Sequence, residues 1–256
     1  MHSERVEFEG ASGQLLAARL ETPEGRLRGQ ALLAHCFTCG KDSLAAYRIA
    51  RALARRGISV LRFDFTGLGD SGGDFANSNF SSNIEDLVAG ASHLRGMGRA
   101  PGLLVGHSLG GAAVLAAARH LPEVRAVATI SAPSDPAHVA SLFRNTRPVV
   151  GTEGDMQVEL GGRTFRIQRQ FLLDAAEHQL LRDIGALGRA LLILHSPEDE
   201  VVEIAHATRI FMAAAHPKSF VALDGAAHLM AGKGDATYAA EVIAAWSTRY
   251  LRDQVD

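Results

Sequence analysis

The sequence predicts an α/β fold: a mostly parallel, eight-stranded sheet with helices on both faces. Three observations carry this reading. Short apolar runs alternate with longer stretches of helical spacing, and glycines or small turns separate them. A glycine-flanked serine also stands where one such strand passes into one such helix. Strand–helix alternation of this kind builds parallel sheets with right-handed crossovers.

Residues 5–9 and 15–20 alternate with period two around Ala11-Ser12-Gly13, which predicts an antiparallel hairpin at a sheet edge. Residues 31–35 form a short apolar run, as in a strand buried on both faces. Residues 45–56 have helical spacing and stop at Gly57, a helix-ending residue. The run 58–63 predicts the next strand, and a glycine-rich loop over 66–73 follows. An amphipathic helix over 82–95 comes next, then a strand over 102–106, an alanine-rich helix over 109–120 and a strand over 124–130. After an insertion the rhythm resumes: a strand over 191–195, a helix over 204–215, a strand over 219–223 and a final helix from about 236 to 251.

The 256 residues suit one domain over 1–256 with residues 134–187 inserted within it. The insertion carries helical stretches at 138–143 and 170–184. Between them a hairpin, 156–160 with 163–167, turns at Gly161-Gly162. Its Leu142, Phe143, Phe165 and Phe171 need something to cover, which predicts a lid. Hydrophobic residues make up 47% and charged residues 21%, with a net charge of -2. That balance excludes a general attraction for nucleic acid or an anionic membrane. No apolar run approaches a membrane span, and the charged start MHSERVEFEG is not a secretory signal, so a cytoplasmic location is expected. The positive charge is almost all arginine, with lysine only at 41, 218 and 233.

The chemistry centres on Gly106-His107-Ser108-Leu109-Gly110, a G-x-S-x-G elbow between strand and helix. A serine on so tight a turn needs neighbours without side chains, and the turn lifts its hydroxyl clear of the sheet beside a helix N-terminus. A serine hydroxyl also needs a base and an orienting acid. Strand ends downstream offer His228 as base, ahead of His107, His120, His178, His195, His206 and His216. They offer Glu198, Asp199 or Glu200 as acid. An oxyanion would be held by the backbone N–H of Leu109 and, from the loop 35–40, that of Phe37. Phe37, Leu142, Phe143, Phe171, Val201 and Met230 are the candidate pocket wall. Cys36 and Cys39, too few for a disulfide framework, form a C-x-x-C that reads as a redox dithiol, half of a metal site, or two small residues in a tight loop.

On these motifs the chain resembles the α/β-hydrolase superfamily. GHSLGG matches its nucleophile elbow, FDFTGLGDSGG its loop after strand four, LHSPEDEVV its acid segment and LDGAAHLM its base segment. HCFTCGKD stands in the place of its oxyanion loop, with Cys36 where a glycine is usual. The resemblance implies that Asp199 is the acid. It also implies a serine carboxylester hydrolase acting on small to medium acyl groups without metal or organic cofactor. Within the superfamily the chain is similar to feruloyl and cinnamoyl esterases and to the hydrolase half of α/β-hydrolase/OsmC-family proteins. An OsmC-like redox protein and a second copy of the chain are therefore candidate partners beside the small-molecule ester. Thioester, amide or lactone cleavage, perhydrolysis, or a non-catalytic binding module on the same fold are the alternatives.

Overall fold

A computed structural model of the chain describes residues 1–143, 147–148, 155–160, 163–232 and 234–251. Eight strands form one sheet: β1 (His2–Glu9), β2 (Leu15–Thr22), β3 (Gly29–Ala34), β4 (Ile58–Phe63), β5 (Leu103–His107), β6 (Ala126–Ile130), β10 (Ala190–His195) and β11 (Lys218–Ala222). Their order is β1-β2-β4-β3-β5-β6-β10-β11. The β1–β2 hairpin is antiparallel and joins β4 antiparallel, while the described ladders from β4 to β11 are parallel.

β3, β4, β5, β6 and β10 are buried along their whole length, which is why their sequences are nearly continuous apolar runs. Helices cover both faces. α2 (Phe80–Gly96) and α3 (Leu109–Ala117) belong to one side, α1 (Leu44–Arg55) and α7 (Asp235–Ser247) to the other, and each side closes its own apolar cluster. α6 (Ile204–Ala213) stands between β10 and β11 in sequence. α1 ends where Gly57 takes φ 86, a backbone only glycine adopts without cost. α2 starts earlier than the spacing predicts because Asn79 and Ser82 form a reciprocal capping box.

Strand β3 lies between β4 and β5, so the chain winds to one side, then crosses back. That reversal makes the carboxyl ends of β3 and β5 a topological switch point, where open α/β sheets leave a crevice.

The inserted segment departs from expectation in two places. Its hairpin, β8 (Asp155–Leu160) with β9 (Arg163–Gln168), gains a third strand, β7 (Arg147–Pro148), too short to show alternation. The hairpin's two-glycine turn lies outside the described residues. The single helix expected over 170–184 is two, α4 (Arg169–Glu177) and α5 (Leu180–Gly185). The break falls at His178, whose backbone is extended and whose ring is engaged by Ser81. No described helix is long and apolar enough to cross a membrane.

Candidate active site

Ser108 occupies the single residue between β5 and α3, at φ 55 and ψ -127. A side chain there pays a conformational cost that persists only where packing enforces it. The glycines supply that packing. A Cβ on Gly106 would strike the Gly110 carbonyl, and one on Gly110 would strike the carbonyls of Ala34 and His35. The elbow therefore presses against the end of β3, and the loop after β3 lies beside the serine. Gly111 and Ala112 donate back to the Ser108 carbonyl at 2.8 and 3.4 Å, starting the helix whose N-terminal N–H groups face developing negative charge.

His228 Nε2 lies 2.9 Å from Ser108 Oγ, and His228 Nδ1 lies 2.8 Å from Asp199 Oδ2. A carboxylate only accepts, so Nδ1 carries the hydrogen and Nε2 is left to accept the serine proton. Of the three adjacent carboxylates, Asp199 alone meets the histidine. Glu198 instead accepts from Ser196 Oγ and Gly225 N, and Glu200 is exposed. Asp199 Oδ1 also accepts the N–H groups of Val201 and Val202 at 3.0 and 2.9 Å. Burial pushes the Asp199 carboxyl up. The His228 hydrogen bond, Val202 N–H, the His228 charge and the Ser131 hydroxyl outweigh it and hold the group well below the usual carboxylate range. Ser108 is 8%, Asp199 5% and His228 8% exposed, so the line of three is nearly closed to water.

Two further histidines hold this line in place. His107 Nε2–H donates to the His228 carbonyl at 2.7 Å, and burial, with His228 beside it, lowers its pKa to about 4. The ring is thus a neutral tether on the backbone of the base. His195 Nε2–H donates to the Val202 carbonyl at 2.7 Å, fixing the turn that cradles Asp199. His206, on α6, is buried and accepts the Ser134 N–H at 3.1 Å. Among the described residues, four non-glycine residues have positive φ: Thr38, Ser108, Ser131 and Met230. All four belong to the loops that carry these groups, and clustered strain of this kind marks functional sites.

The loop after β3 contains a feature that the sequence left open. Cys36 and Cys39 form a disulfide, and Phe37 and Thr38 lie inside the ring it closes. Downstream, a buried ion cluster anchors the loop. Asp64 accepts Lys41 N–H at 2.5 Å, Lys41 Nζ at 2.8 Å and Asp70 N–H at 2.9 Å, while Lys41 Nζ also reaches Asp70 at 2.6 Å. Sequence reading missed Asp64 and Lys41. A lysine in a chain that otherwise uses arginine was the available signal, since a compact ammonium with three donors suits two carboxylates.

The proposed wall residues divide. Phe37 and Phe171 meet at 5.2 Å between ring centres, and Phe75 joins Phe37 at 5.7 Å and Phe165 at 5.6 Å. Phe75 was not foreseen. Val201 is exposed on the acid turn, and its carbonyl accepts from His138 Nε2 at 2.9 Å. The side chains of Leu142 and Phe143 lie outside the described residues. Met230 is a correction. Its backbone turns at φ 53 and its side chain is fully buried with Leu223, Ala226 and Ile243, in the apolar cluster on the α1 and α7 side. Nearness to His228 in sequence does not put it on the wall.

Comparison with known proteins places the fold in a family. The model of a family described as "Alpha/beta hydrolase family" matches residues 31–241. The structure of an esterase domain from a Rhodothermus marinus protein is 47% identical, with a TM-score of 0.82, covering 98% of this chain and 100% of that one. Est1E from Butyrivibrio proteoclasticus, solved with ferulic acid, has the same fold at 17% identity and a TM-score of 0.81, covering 96% and 99%. Among curated relatives, the rat mitochondrial palmitoyl-protein thioesterase ABHD10 is 28% identical over 64% of this chain. The match takes in 55% of the rat protein, so the chain spans about half the length of that relative.

Proposed function

The chain belongs to the alpha/beta hydrolase family, and from that premise we propose that it is a serine hydrolase cleaving carboxylic esters of small to medium acyl groups. The observation that carries the proposal is the unbroken line Ser108 Oγ to His228 Nε2, 2.9 Å, and His228 Nδ1 to Asp199 Oδ2, 2.8 Å. Hydrogen-bond reach between nucleophile and base, and between base and orienting acid, is what nucleophilic catalysis requires.

Ser108 Oγ attacks the ester carbonyl while its proton passes to His228 Nε2. Asp199 holds the imidazole tautomer and stabilises the imidazolium without taking its proton. The N–H groups of Leu109 and Phe37 receive the oxyanion, each contributing about 3–4 kcal/mol to the transition state. The tetrahedral intermediate collapses, and His228 gives its proton to the leaving alcohol. Water, deprotonated by the same nitrogen, then releases the acid and restores Ser108. Residues 134–187 act as a lid: Phe165 and Phe171 come from this segment and pack on Phe75 and Phe37. With Ser108 only 8% exposed, the substrate enters when those rings part and leaves an apolar wall for the acyl group.

The same line of residues serves a thioester, and the names of the ABHD10 relatives favour that as the second reading. The test is turnover of p-nitrophenyl esters from acetate to laurate and of methyl ferulate, beside thioesters of the same acyl groups, with Ser108→Ala as control. Ester turnover that disappears in the variant supports the proposal. A kcat/KM tenfold or more higher on thioesters moves the assignment to the second reading. Turnover retained by Ser108→Ala overturns the mechanism.

A further inference from the structure

We propose that the Cys36–Cys39 disulfide is a thiol-exchange site, opened at Cys39 by a small neutral or cationic thiol, and that opening it slows the enzyme through Phe37. The dependence on turnover rests on the hydrolase reading above. The exchange itself does not.

Three observations converge. First, the two sulfurs differ in access. Cys36 is 5% exposed and belongs to the core, whereas Cys39 is half-buried and lines a cleft of about 350 Å³ with Thr38, Gly40, Lys41 and Asp70. Thiol–disulfide exchange needs an approach to one sulfur, and access selects which one. Second, the cleft and the ion cluster beneath it set three cations, Lys41, Arg62 and, beside Asp70, Arg5, against four carboxylates, Glu21, Asp42, Asp64 and Asp70. An excess of negative charge slows an anionic thiol and admits a neutral or cationic one. Third, the ring contains the proposed oxyanion donor. Thr38, a β-branched residue, is held at φ 58, a conformation that such residues leave when nothing enforces it. The disulfide and the Cys39 N–H to Cys36 carbonyl bond of 3.0 Å enforce it.

The chemistry balances with the thiol as reductant. A thiolate RS⁻ attacks Cys39 Sγ, the Sγ–Sγ bond breaks, and Cys36 departs as a thiolate that takes a proton. A second RS⁻ attacks the outer sulfur of the mixed disulfide and releases Cys39, which is protonated in turn. In sum, the protein disulfide and two RSH become the protein dithiol and RSSR. Released from the ring, Thr38 relaxes, the Phe37 amide shifts, and its ring withdraws from Phe171 and Phe75. An oxyanion donor acts mainly in the transition state, so kcat falls more than KM rises.

The experiment uses the full chain. Thiol titration and intact mass after cysteamine or dithiothreitol should show two new thiols, with cysteamine faster than glutathione at equal thiolate concentration. Cys36→Ser treated with cystamine should carry a mixed disulfide on Cys39, while Cys39→Ser leaves Cys36 unmodified under the same treatment. On an ester accepted by the oxidised protein, reduction should lower kcat about tenfold to hundredfold, less than the roughly hundredfold to thousandfold loss when a donor is removed outright. Reoxidation with cystamine should restore it. Labelling of Ser108 by a fluorophosphonate should slow in parallel, and this reads the loop even if no ester is turned over. Absence of an ester substrate would therefore count against the hydrolase reading alone. A disulfide that resists thiols in the folded protein, faster reaction with glutathione, modification at Cys36, or two released thiols with unchanged kcat and labelling would each overturn the proposal.

Discussion

Among the described residues, two clusters of a serine, a histidine and an aspartate are wired differently. In one, the Ser108 hydroxyl faces His228, and His228 stands between it and Asp199. In the other, Ser81 near the start of α2 donates to Asp174 on α4 at 2.6 Å and lies 3.0 Å from His178 Nε2. A hydroxyl has one hydrogen to give. Because Ser81 gives it to Asp174, its oxygen is left to accept from His178, the reverse of activation. Asp174 also accepts the Ser81 N–H at 2.8 Å, so the second cluster fastens the inserted segment to α2. Composition alone makes the two alike. The position of the histidine in the chain of hydrogen bonds separates a proton path from a clasp.

The largest expected effects break the first cluster and spare the second. Ser108→Ala should lower kcat by roughly 10⁴-fold or more, whereas Ser81→Ala should leave kcat on a short-chain ester within a few-fold. The Ser81 change should instead lower stability by about 1 kcal/mol, the ordinary worth of a lost hydrogen bond, read by denaturant midpoint. A collapse of kcat in Ser81→Ala at unchanged stability would show that the clasp takes part in turnover. The acids sharpen the contrast. Asp199→Asn should cost about 10⁴-fold in kcat because the imidazole loses its tautomer partner. Asp174→Asn should weaken the hold on α4 and change KM more than kcat, as a looser inserted segment alters access. Equal losses from both asparagine variants would mean that the wiring difference is not what decides function.

How legible these clusters were follows from how local their signals are. The elbow around Ser108 is a strand, a turn and a helix in continuous sequence. The strand over 58–63 coincides with β4 because a doubly buried strand is a mostly apolar run, here broken only by Ser59 and Arg62. His228 and Asp199 follow their strands at the predicted edge. The clasp was illegible because Ser81 lies 93 residues from Asp174 and 97 from His178. That tertiary pull also ends α4 where helical spacing runs on. The pairing of Asp64 with Lys41, 23 residues apart, is likewise a product of folding rather than of pattern, whereas the Cys36–Cys39 disulfide spans a local C-x-x-C that sequence left with three readings. Met230 shows the converse error. Its neighbourhood to the base was read as direction, but direction in a loop depends on φ, and φ 53 sends the side chain to the opposite face.

The smallest expected effect compares, by pH, the histidine beside Ser108 with a carboxyl on α2. Burial, with His228 beside it, holds His107 at a pKa of about 4, while the unfolded chain takes that proton near 6.5. Between those values the unfolded state binds more protons. The stability His107 contributes is therefore complete above about pH 6.5 and is lost as pH falls toward 4. On α2, burial raises Asp86 to about 6 against 3.8 unfolded, opposed by the Thr66 N–H and hydroxyl. There the folded state binds more protons between 3.8 and 6, so acidification over that window stabilises. The two contributions oppose each other and largely cancel, each on the order of 3 kcal/mol over its full window. Melting temperature against pH should show it. His107→Gln keeps a donor for the His228 carbonyl and should flatten the loss below pH 6.5, whereas Asp86→Asn should remove the compensation and steepen it. Parallel curves for both variants and the parent would mean that neither buried group titrates as its surroundings require. Flattening by His107→Gln alone would place the acid sensitivity beside Ser108 and leave the Asp86–Thr66 contact on α2 without a part in it.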